Sequence, residues 1–487
     1  MSINVAARKL CALLLLPSFL IGSSLLKAAE PQELSATQLL FEPRPIPTAG
    51  TPEPEFVAVA SALAARQTND ASAMQQQLAE MTAAIAVSDN ETGAAADAKV
   101  EQLLQAGLLN ARLQQHDAAI ALLDRARTLS KITKGIDNSD QFQLMDALAT
   151  SLAATARYEA ADALQDEKLQ LAEAAFGENS LEMAMALQQV GDWNLQAFLQ
   201  RSNITLSIPR MNMQLLMING LNAASSMQAA AGSMQNTTVF KLYLAKGNFL
   251  RSLGILNALK DYTNPALLET ERKLLTTLFL SMHRENILYE PDFYLSRRTA
   301  ATGTRLDTSS QDRMNSTDYD EGMVSYQRAL SYIDANRGRT AEQIAGTLLE
   351  EADWDLLFTR SDKAREKYQG SYEYFDRTPV IMERAGSLVY PEVPVVLPVF
   401  LPAPNSREKL GIGADEPVSY FGYFDMSFGI GENGSARRIK LLGQGGEVTD
   451  EMEVRLKEYL GKLMFRPRYK AGKLDEEPLQ LRYYVGY

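Results

Sequence analysis

Cysteine and histidine are nearly absent from this chain of 487 residues, which holds one cysteine, Cys11, and two histidines, His116 and His283. Catalytic triads need a histidine base, and structural or catalytic zinc sites draw mainly on cysteine and histidine. Both kinds of site are therefore poor hypotheses here, and no disulfide is expected. We predict that the protein is not an enzyme, with no catalytic residue, no metal ligand and no cofactor.

The chain also lacks an excess of positive charge, since its net charge is −12. An acidic chain is a poor general binder of nucleic acid or of anionic membranes. Its hydrophobic fraction of 46% is ordinary for a soluble globular protein. Its length allows two or more domains. We expect protein partners and no nucleic acid, and no small-molecule substrate is evident.

Three further groups of residues are candidates for chemical sites. A methionine cluster could hold Cu(I), but its helical spacing favours core packing. An acidic cluster lacks the pattern of a calcium loop, which favours a solvated helix face. His116 is interpreted as a turn residue and His283 as a surface or interface residue. The methionines are Met211, Met213, Met217, Met227 and Met234, and the acidic residues are Glu350, Glu351, Asp353 and Asp355.

The first 29 residues have the pattern of a secretory signal. Arg8 and Lys9 precede a short apolar run that Pro17 interrupts, and small residues follow. The run is too short to span a membrane comfortably, which favours a cleaved signal at 1–29 and a periplasmic protein. Because Lys27 lies near the expected cleavage site, a retained inner-membrane anchor stays open as the alternative. Residues 30–55 contain six prolines and are predicted to be a linker.

Residues 56–375 are rich in alanine, leucine, glutamine and glutamate, which predicts helix nearly throughout. Ala119 and Ala161 stand at matching places in two similar segments, 42 residues apart (161 − 119). Gly322 and Ala364 are matched in the same way in a second pair of segments. Small residues at these places let two helices approach closely. The period predicts an array of helical hairpins.

The spacing of small and large residues in this array resembles the tetratricopeptide repeat. In the first segment the spacing is carried by Gly107, Ala119, Leu123 and Ala126, and in the later ones by Gly322, Tyr326, Ala329, Ala364, Tyr368 and Ser371. The resemblance implies a curved array that binds partners on its concave face. No repeat can be recognised between 202 and 317, so an enzyme hidden there remains a third hypothesis.

Residues 376–406 form a second proline-rich segment, predicted to be a connector that lies extended along a neighbouring domain. Residues 407–487 then show two alternating strand patterns joined at Asn433-Gly434, a strong hairpin signal. A helical pattern that begins after Thr449 and ends before Pro467 follows, and a last alternating strand closes the chain. These elements predict a small α+β module with one helix on a three-stranded antiparallel sheet.

The order of these elements resembles the C-terminal domain of the TonB family. The matching segments are the hairpin YFDMSFGIGENGSARRIKLL, the helix, FRPRYKAGK and the last strand LQLRYYV. The resemblance implies a binding module that adds a short peptide of an outer-membrane or periplasmic protein to the edge of its sheet. The family's energy transducer has a membrane anchor with a functional histidine and a long Glu-Pro and Lys-Pro spacer, whereas residues 1–29 contain no histidine and a folded domain takes the place of the spacer. That departure argues against direct coupling to the proton gradient.

The module also carries local positive charge, which could steer it to an acidic partner or dock it on its own acidic helical domain. The cations are Arg437, Arg438, Lys440, Arg466, Arg468, Lys470 and Lys473. From these and the last strand we predict six partner-binding residues, namely Tyr483, Tyr484, Val485, Arg437, Arg438 and Arg468.

The sequence thus predicts a multidomain protein, an all-α tetratricopeptide-like helical-hairpin array followed by a small α+β TonB-like C-terminal domain. The predicted function is a non-enzymatic periplasmic adaptor that docks proteins in its helical groove and at its sheet edge. The alternative is a membrane-anchored, divergent TonB-like energy transducer or transport component.

Overall fold

A computed structural model describes most of the chain. The described residues are 39–47, 54, 56, 74–83, 85, 94–201, 238–289, 308–335, 340–403, 406–407, 418–470 and 472–486. The predicted signal at 1–29 and the methionine cluster between Met211 and Met234 lie outside these residues.

The described part of the chain is mostly helical and ends in a small antiparallel sheet. Residues 74–83 are helical. The helices that follow are α1 (Ala94–Arg112), α2 (His116–Lys134), α3 (Gln141–Ala154), α4 (Tyr158–Phe176), α5 (Leu181–Arg201), α6 (Thr238–Ala258), α7 (Pro265–Tyr289), α8 (Thr308–Ala335), α9 (Ala341–Leu357), α10 (Ser361–Asp376) and α11 (Pro379–Val389). Most of them pack against their neighbours in sequence, as a hairpin array requires.

The turns between these helices repeat in their backbone conformation. Gln114 and Ala156 both have φ of 60°, and they are 42 residues apart (156 − 114). Gly135 and Gly177, with φ of 91° and 85°, are separated by the same distance in sequence. Thr359 adopts φ of 60° in a later turn of the same kind. The 42-residue period of the sequence is therefore also a period of the backbone from α1 to α4.

Glycine permits two of the closest helix contacts. A Cβ atom added to Gly107 would lie 2.7 Å from Cγ of Leu123, and one added to Gly322 would lie 2.2 Å from the indole ring of Trp354. Ala119 is also fully buried. Small residues at the predicted positions thus let facing helices approach within contact distance.

The terminal module has the predicted order of strand, hairpin, strand, helix and strand. Its elements are β3 (Tyr420–Ile430), β4 (Ala436–Gly446), α12 (Asp450–Lys462), β5 (Met464–Phe465), β6 (Tyr469–Lys470), β7 (Lys473–Leu474) and β8 (Leu479–Gly486). Thr449 caps α12 by accepting a hydrogen bond from the backbone N–H of Met452. The inner faces of β3 and β8 pack on α12 around Phe424, Leu456 and Tyr483.

The main sheet has four strands and not the three that we predicted. Residues 40–45 of the predicted linker form β1 (Leu40–Pro45), and the strand order is β1-β8-β3-β4, with every neighbouring pair antiparallel. The prolines of this segment led us to expect a linker. Proline lacks a backbone N–H donor but is compatible with an edge strand, which is where β1 lies.

The predicted connector also contains regular structure. It begins with α11, whose Pro379 occupies the first turn, where a missing N–H costs no helical hydrogen bond. Farther on, β2 (Val396–Leu397) pairs antiparallel with β5 of the terminal module. Phe400 then packs edge-on against Phe279 of α7, with ring centroids 5.6 Å apart. The expectation of an extended connector is therefore wrong for α11, while the residues that follow it contact both the helices and the terminal module.

Candidate partner-binding surface

The last strand, where we predicted partner binding, has neighbours on both of its sides. β8 pairs with β3 on one side and with all six residues of β1 on the other. Tyr483, Tyr484 and Val485 are no more than 2% exposed. The predicted edge is thus occupied by a segment from near the N-terminus of the same chain. The short apolar run Leu39-Leu40-Phe41 was the sequence signal for this strand.

Apolar side chains hold β1 on the sheet from both faces. Leu39 and Phe41 enter the core of the module, where the ring of Phe41 lies 5.5 Å from that of Tyr459. Leu40 packs on the other face with Tyr420 and Tyr484. Burial of these side chains is the main contribution expected to hold the strand in place.

A polar cluster fixes the middle of β1. The Glu42 carboxylate accepts hydrogen bonds from Arg44, from Tyr420 and from Nε of Arg407, the last at 2.9 Å. Burial alone would raise the pKa of Glu42, but hydrogen bonds from Tyr420, Arg44 and Arg407 outweigh it and lower that pKa. The Arg44 guanidinium lies 5.2 Å from the ring centroid of Tyr484. The bound strand therefore favours an ionised Glu42.

An open groove of about 460 Å³ runs between β1 and residues 401–403, 406 and 407. Glu42 and Arg407, its charged lining residues, are paired with each other across it. The remaining lining is formed by side chains such as Leu40 and Pro402. The groove therefore presents an ion pair and apolar surface but no free acid or base.

The opposite edge of the sheet is formed by β4. Along β4, Arg438, Lys440 and Leu442 are exposed and alternate with the half-buried Ile439 and Leu441. Arg437 is exposed as well. None of these three cations has an ion pair with any other residue in the described part of the chain.

Arg468, the sixth predicted partner-binding residue, lies apart from the β4 edge. Its guanidinium forms an ion pair with Asp475 at 3.2 Å, and only 18% of its side chain is exposed. The structure therefore brings Arg437 and Arg438 together on the β4 edge, and places Arg468 in a partly buried ion pair within the module.

Arg466 docks the module on its own helical domain. Its guanidinium forms two hydrogen bonds with the Asp353 carboxylate of α9, with Nε 2.9 Å from Oδ1. The hydroxyl of Tyr368 on α10 donates to the same carboxylate at 2.6 Å. Burial alone would lower the pKa of Arg466, but the charge of Asp353 raises it. One cation of the basic set thus pairs with the helical domain, while the β4 cations remain exposed.

In the acidic cluster of α9, Asp353 and Asp355 are buried and Glu350 and Glu351 are half-buried, so our prediction of a solvated helix face was wrong. Asp355 is fully buried and accepts a hydrogen bond from the Tyr319 hydroxyl at 2.6 Å. Lys367 lies 2.7 Å from the same carboxylate. Each buried carboxylate has a cation or a hydroxyl on a neighbouring helix, which offsets the cost of removing the charge from water. Those partners lie on other helices and are not visible in the local sequence.

The histidines are not brought together in a site. His116 begins α2 and lies 3.3 Å from the side-chain oxygen of Gln114 in the preceding turn, as a turn residue would. His283 lies in α7. Across the described residues, no group of three histidine, cysteine or acidic side chains is arranged to hold a metal ion. Among the described helices, none is long and apolar enough to cross a membrane.

No model of a known protein family matches this chain, and no curated protein matches it. Among solved structures, it is similar to one described as the crystal structure of BtubC (BKLC) from P. vanneervenii. The two chains are 12% identical, and the match covers 63% of this chain and 92% of that chain with a TM-score of 0.32. Likeness at this level carries no argument about function.

Proposed function

We propose that the protein is a non-enzymatic, periplasmic protein-interaction adaptor whose terminal sheet binds extended segments of partner proteins by strand addition. The observation that carries the proposal is the pairing of β1 with β8. A short segment remote in sequence adds to this sheet with six paired residues, and both faces of the segment are anchored. Strand addition of this kind supplies affinity through the backbone and specificity through alternate side chains.

The docking of the module on the array supports a joint role for the two parts. The buried Arg466–Asp353 pair and the β2–β5 pairing fix the sheet against α9 and the connector. A partner held at the sheet would therefore meet the surface of the helical hairpins in a defined orientation. The tetratricopeptide-like spacing of the array and the TonB-like order of the module support the same assignment.

Site-specific photo-crosslinking tests the proposal in the full-length exported chain. A photoreactive amino acid is placed at Leu442 on the β4 edge, at Pro45 on the β1 edge, and at Lys260 or Lys363 in the array. We expect at least one sheet position to capture a partner through a single short segment. A synthetic peptide of that segment is expected to compete with the capture.

Capture from the array positions alone would contradict the proposal, as would crosslinks scattered over a folded surface of the partner. N-terminal sequencing of the exported protein tests the predicted compartment separately. Loss of residues 1–29 is expected, whereas their retention would favour the membrane-anchored alternative.

A further inference from the structure

We infer that the β4 edge is the partner-binding edge of the sheet, and that it binds an extended, acidic segment of a partner protein. The inference rests on the proposed function and adds to it both the edge that is used and the chemistry of the partner.

The two outer edges of the sheet differ in their capacity to pair. Two of the six residues of β1 are prolines, Pro43 and Pro45, which have no backbone N–H to donate. A strand added outside β1 would be interrupted at such residues, as proline interrupts edge pairing in natural sheets. β4 contains no proline over its 11 residues. Bulges shift its register against β3 near Arg438, which has φ of 56°, and near Leu442, but every residue of β4 has a backbone N–H to donate to an incoming strand.

The outer side of β4 is paired at its beginning and unpaired along the remainder of the strand in the described part of the chain. The N–H of Phe465 donates to the carbonyl of Gly434 at 2.8 Å, and Ser435 pairs with Met464. In the described part of the chain, no strand pairs with the outer side of β4 beyond this point. The available edge thus extends from Arg437 to Gly446, long enough for a strand of ordinary length.

The charge along this edge selects the partner. The buried arginines of the module have carboxylate partners, since Arg466 pairs with Asp353 and Arg482 with Asp425. Arg437, Arg438 and Lys440 on β4 are exposed and lack such a partner among the described residues. Because the whole chain carries a net charge of −12, an acidic segment is repelled by most of its surface and attracted at this edge.

The side-chain pattern of β4 defines the segment further. Arg438, Lys440 and Leu442 are exposed, whereas Ile439 and Leu441 contact the module core. An added strand with acidic residues at alternate positions would set its carboxylates beside Arg438 and Lys440, where opposite charges stabilise strand pairing. A rival explanation is that these cations only protect the edge from aggregation.

A labelled decapeptide that alternates glutamate with valine or threonine serves as the probe, and its fluorescence anisotropy is measured with the full exported chain. We expect binding that weakens with salt. The variant R437E/R438E/K440E is expected to bind at least roughly tenfold more weakly, because it reverses the three charges of the edge and repels the glutamates of the peptide. The same variant is expected to bind a decapeptide in which lysine replaces glutamate.

The matched control is K470E/K473E, which reverses two exposed charges in the same module away from β4 and is expected to bind normally. A neutral variant, R437Q/R438Q/K440Q, should give an intermediate loss. Circular dichroism verifies that each variant is folded. Hydrogen–deuterium exchange of the wild-type complex is expected to protect amides between 437 and 446.

The inference is overturned if the acidic peptide does not bind, if charge reversal leaves binding unchanged, or if protection appears on β8 after β1 is displaced. These outcomes are distinct from the outcomes that would reject the proposed function. Partner capture from Pro45 alone would retain strand addition and reject the β4 edge, whereas capture from the array alone would reject both.

Discussion

Trp354 illustrates how strongly a single side chain depends on its neighbours. Its ring is fully buried against Gly322 of α8 and Phe358, and its indole N–H donates to the carbonyl of Tyr319 at 3.2 Å. A rigid indole fills the space where Gly322 would otherwise carry a Cβ. The glycine is therefore required for packing and not for backbone freedom.

We predict that G322A destabilises the protein by about 1–3 kcal/mol, the cost of overpacking a close-packed contact. Because alanine has a better helix propensity than glycine, a loss of stability in G322A can come only from the crowded contact with Trp354. G247A is the matched control, because this helical glycine of α6 has no atom within 4 Å of an added Cβ. It should stabilise the protein by up to about 1 kcal/mol. Urea unfolding measures both, and stabilisation by G322A would contradict the packing argument.

The Asp353–Arg466 pair is a second feature of residue scale. We predict that R466M destabilises the protein by about 3–5 kcal/mol, because it leaves the buried Asp353 carboxylate without its cation. The double variant D353L/R466M should be much less destabilised, since it leaves no buried charge unpaired. R365A provides the comparison, because Arg365 and Glu432 form an exposed pair 3.5 Å apart between the same two parts of the protein. Its expected cost is about 0–1 kcal/mol. Equal costs for R466M and R365A in urea unfolding would contradict the prediction.

At the scale of elements, the attachment of β1 is coupled to the ionisation of one group, the carboxyl of Glu42. The lowered pKa of Glu42 means that the bound strand favours the ionised carboxylate. This stabilisation is complete above the ordinary glutamate pKa of 4.5 and is lost as the pH falls through the lower folded-state value.

We therefore predict that the backbone amides of β8 that donate to β1 lose protection against hydrogen exchange as the pH falls below 4.5. Protection factors corrected for intrinsic exchange measure this loss, with Phe424 of the inner strand β3 as the internal reference. E42Q should weaken β1 at neutral pH and remove most of the acid dependence. Acid-induced loss of protection that is as large in E42Q as in wild type would assign the effect to other groups.

The elements differ in how far their local sequence predicted them. The Asn433-Gly434 hairpin and the Thr449-capped helix followed from turn and capping residues that act within a few positions. β1 and α11 were not predicted as elements, because prolines in their segments indicated irregular chain. In both cases proline stands where a missing N–H is tolerated, at a sheet edge or in a first helical turn. Local sequence does not tell whether such a place exists.

At the scale of the whole molecule, the helical array and the terminal module are joined by several kinds of contact. β2 pairs with β5, the Tyr390 hydroxyl donates to the carbonyl of Tyr469 at 3.0 Å, and Tyr368 stacks on Tyr469. Tyr469 belongs to the large cluster of buried apolar residues that otherwise consists of helical and connector residues. The module and the neighbouring helices thus share a core.

We predict that α9, α10 and the terminal module unfold together in one cooperative transition. Urea titration measures the two parts separately. Trp354 fluorescence reports on the helices, and a fluorophore at position 442 reports on the module. Coincident midpoints are expected. Removal of the module after Asn405 should lower the stability of these helices, because Asp353 loses its cation. Two separated transitions would mean that the two parts are independent domains.

The sequence by itself determined the periodic features of this protein. The 42-residue period, the close-packing positions of Gly107 and Ala119, and the hairpin and helix of the module depend on residues near one another in the chain. It also determined that a basic cluster lies on the terminal module, without distinguishing a docking role from a partner-binding role.

Only the tertiary structure decided which charges are buried and which sheet edge is open. Arg466 meets Asp353, and Glu42 meets Arg407, across large separations in sequence. The same fold covers β8 with β1 and leaves Arg437 and Arg438 on the exposed strand β4. Such pairings depend on how remote segments pack together, because the free energy of a charge or of an unpaired strand is set by its surroundings.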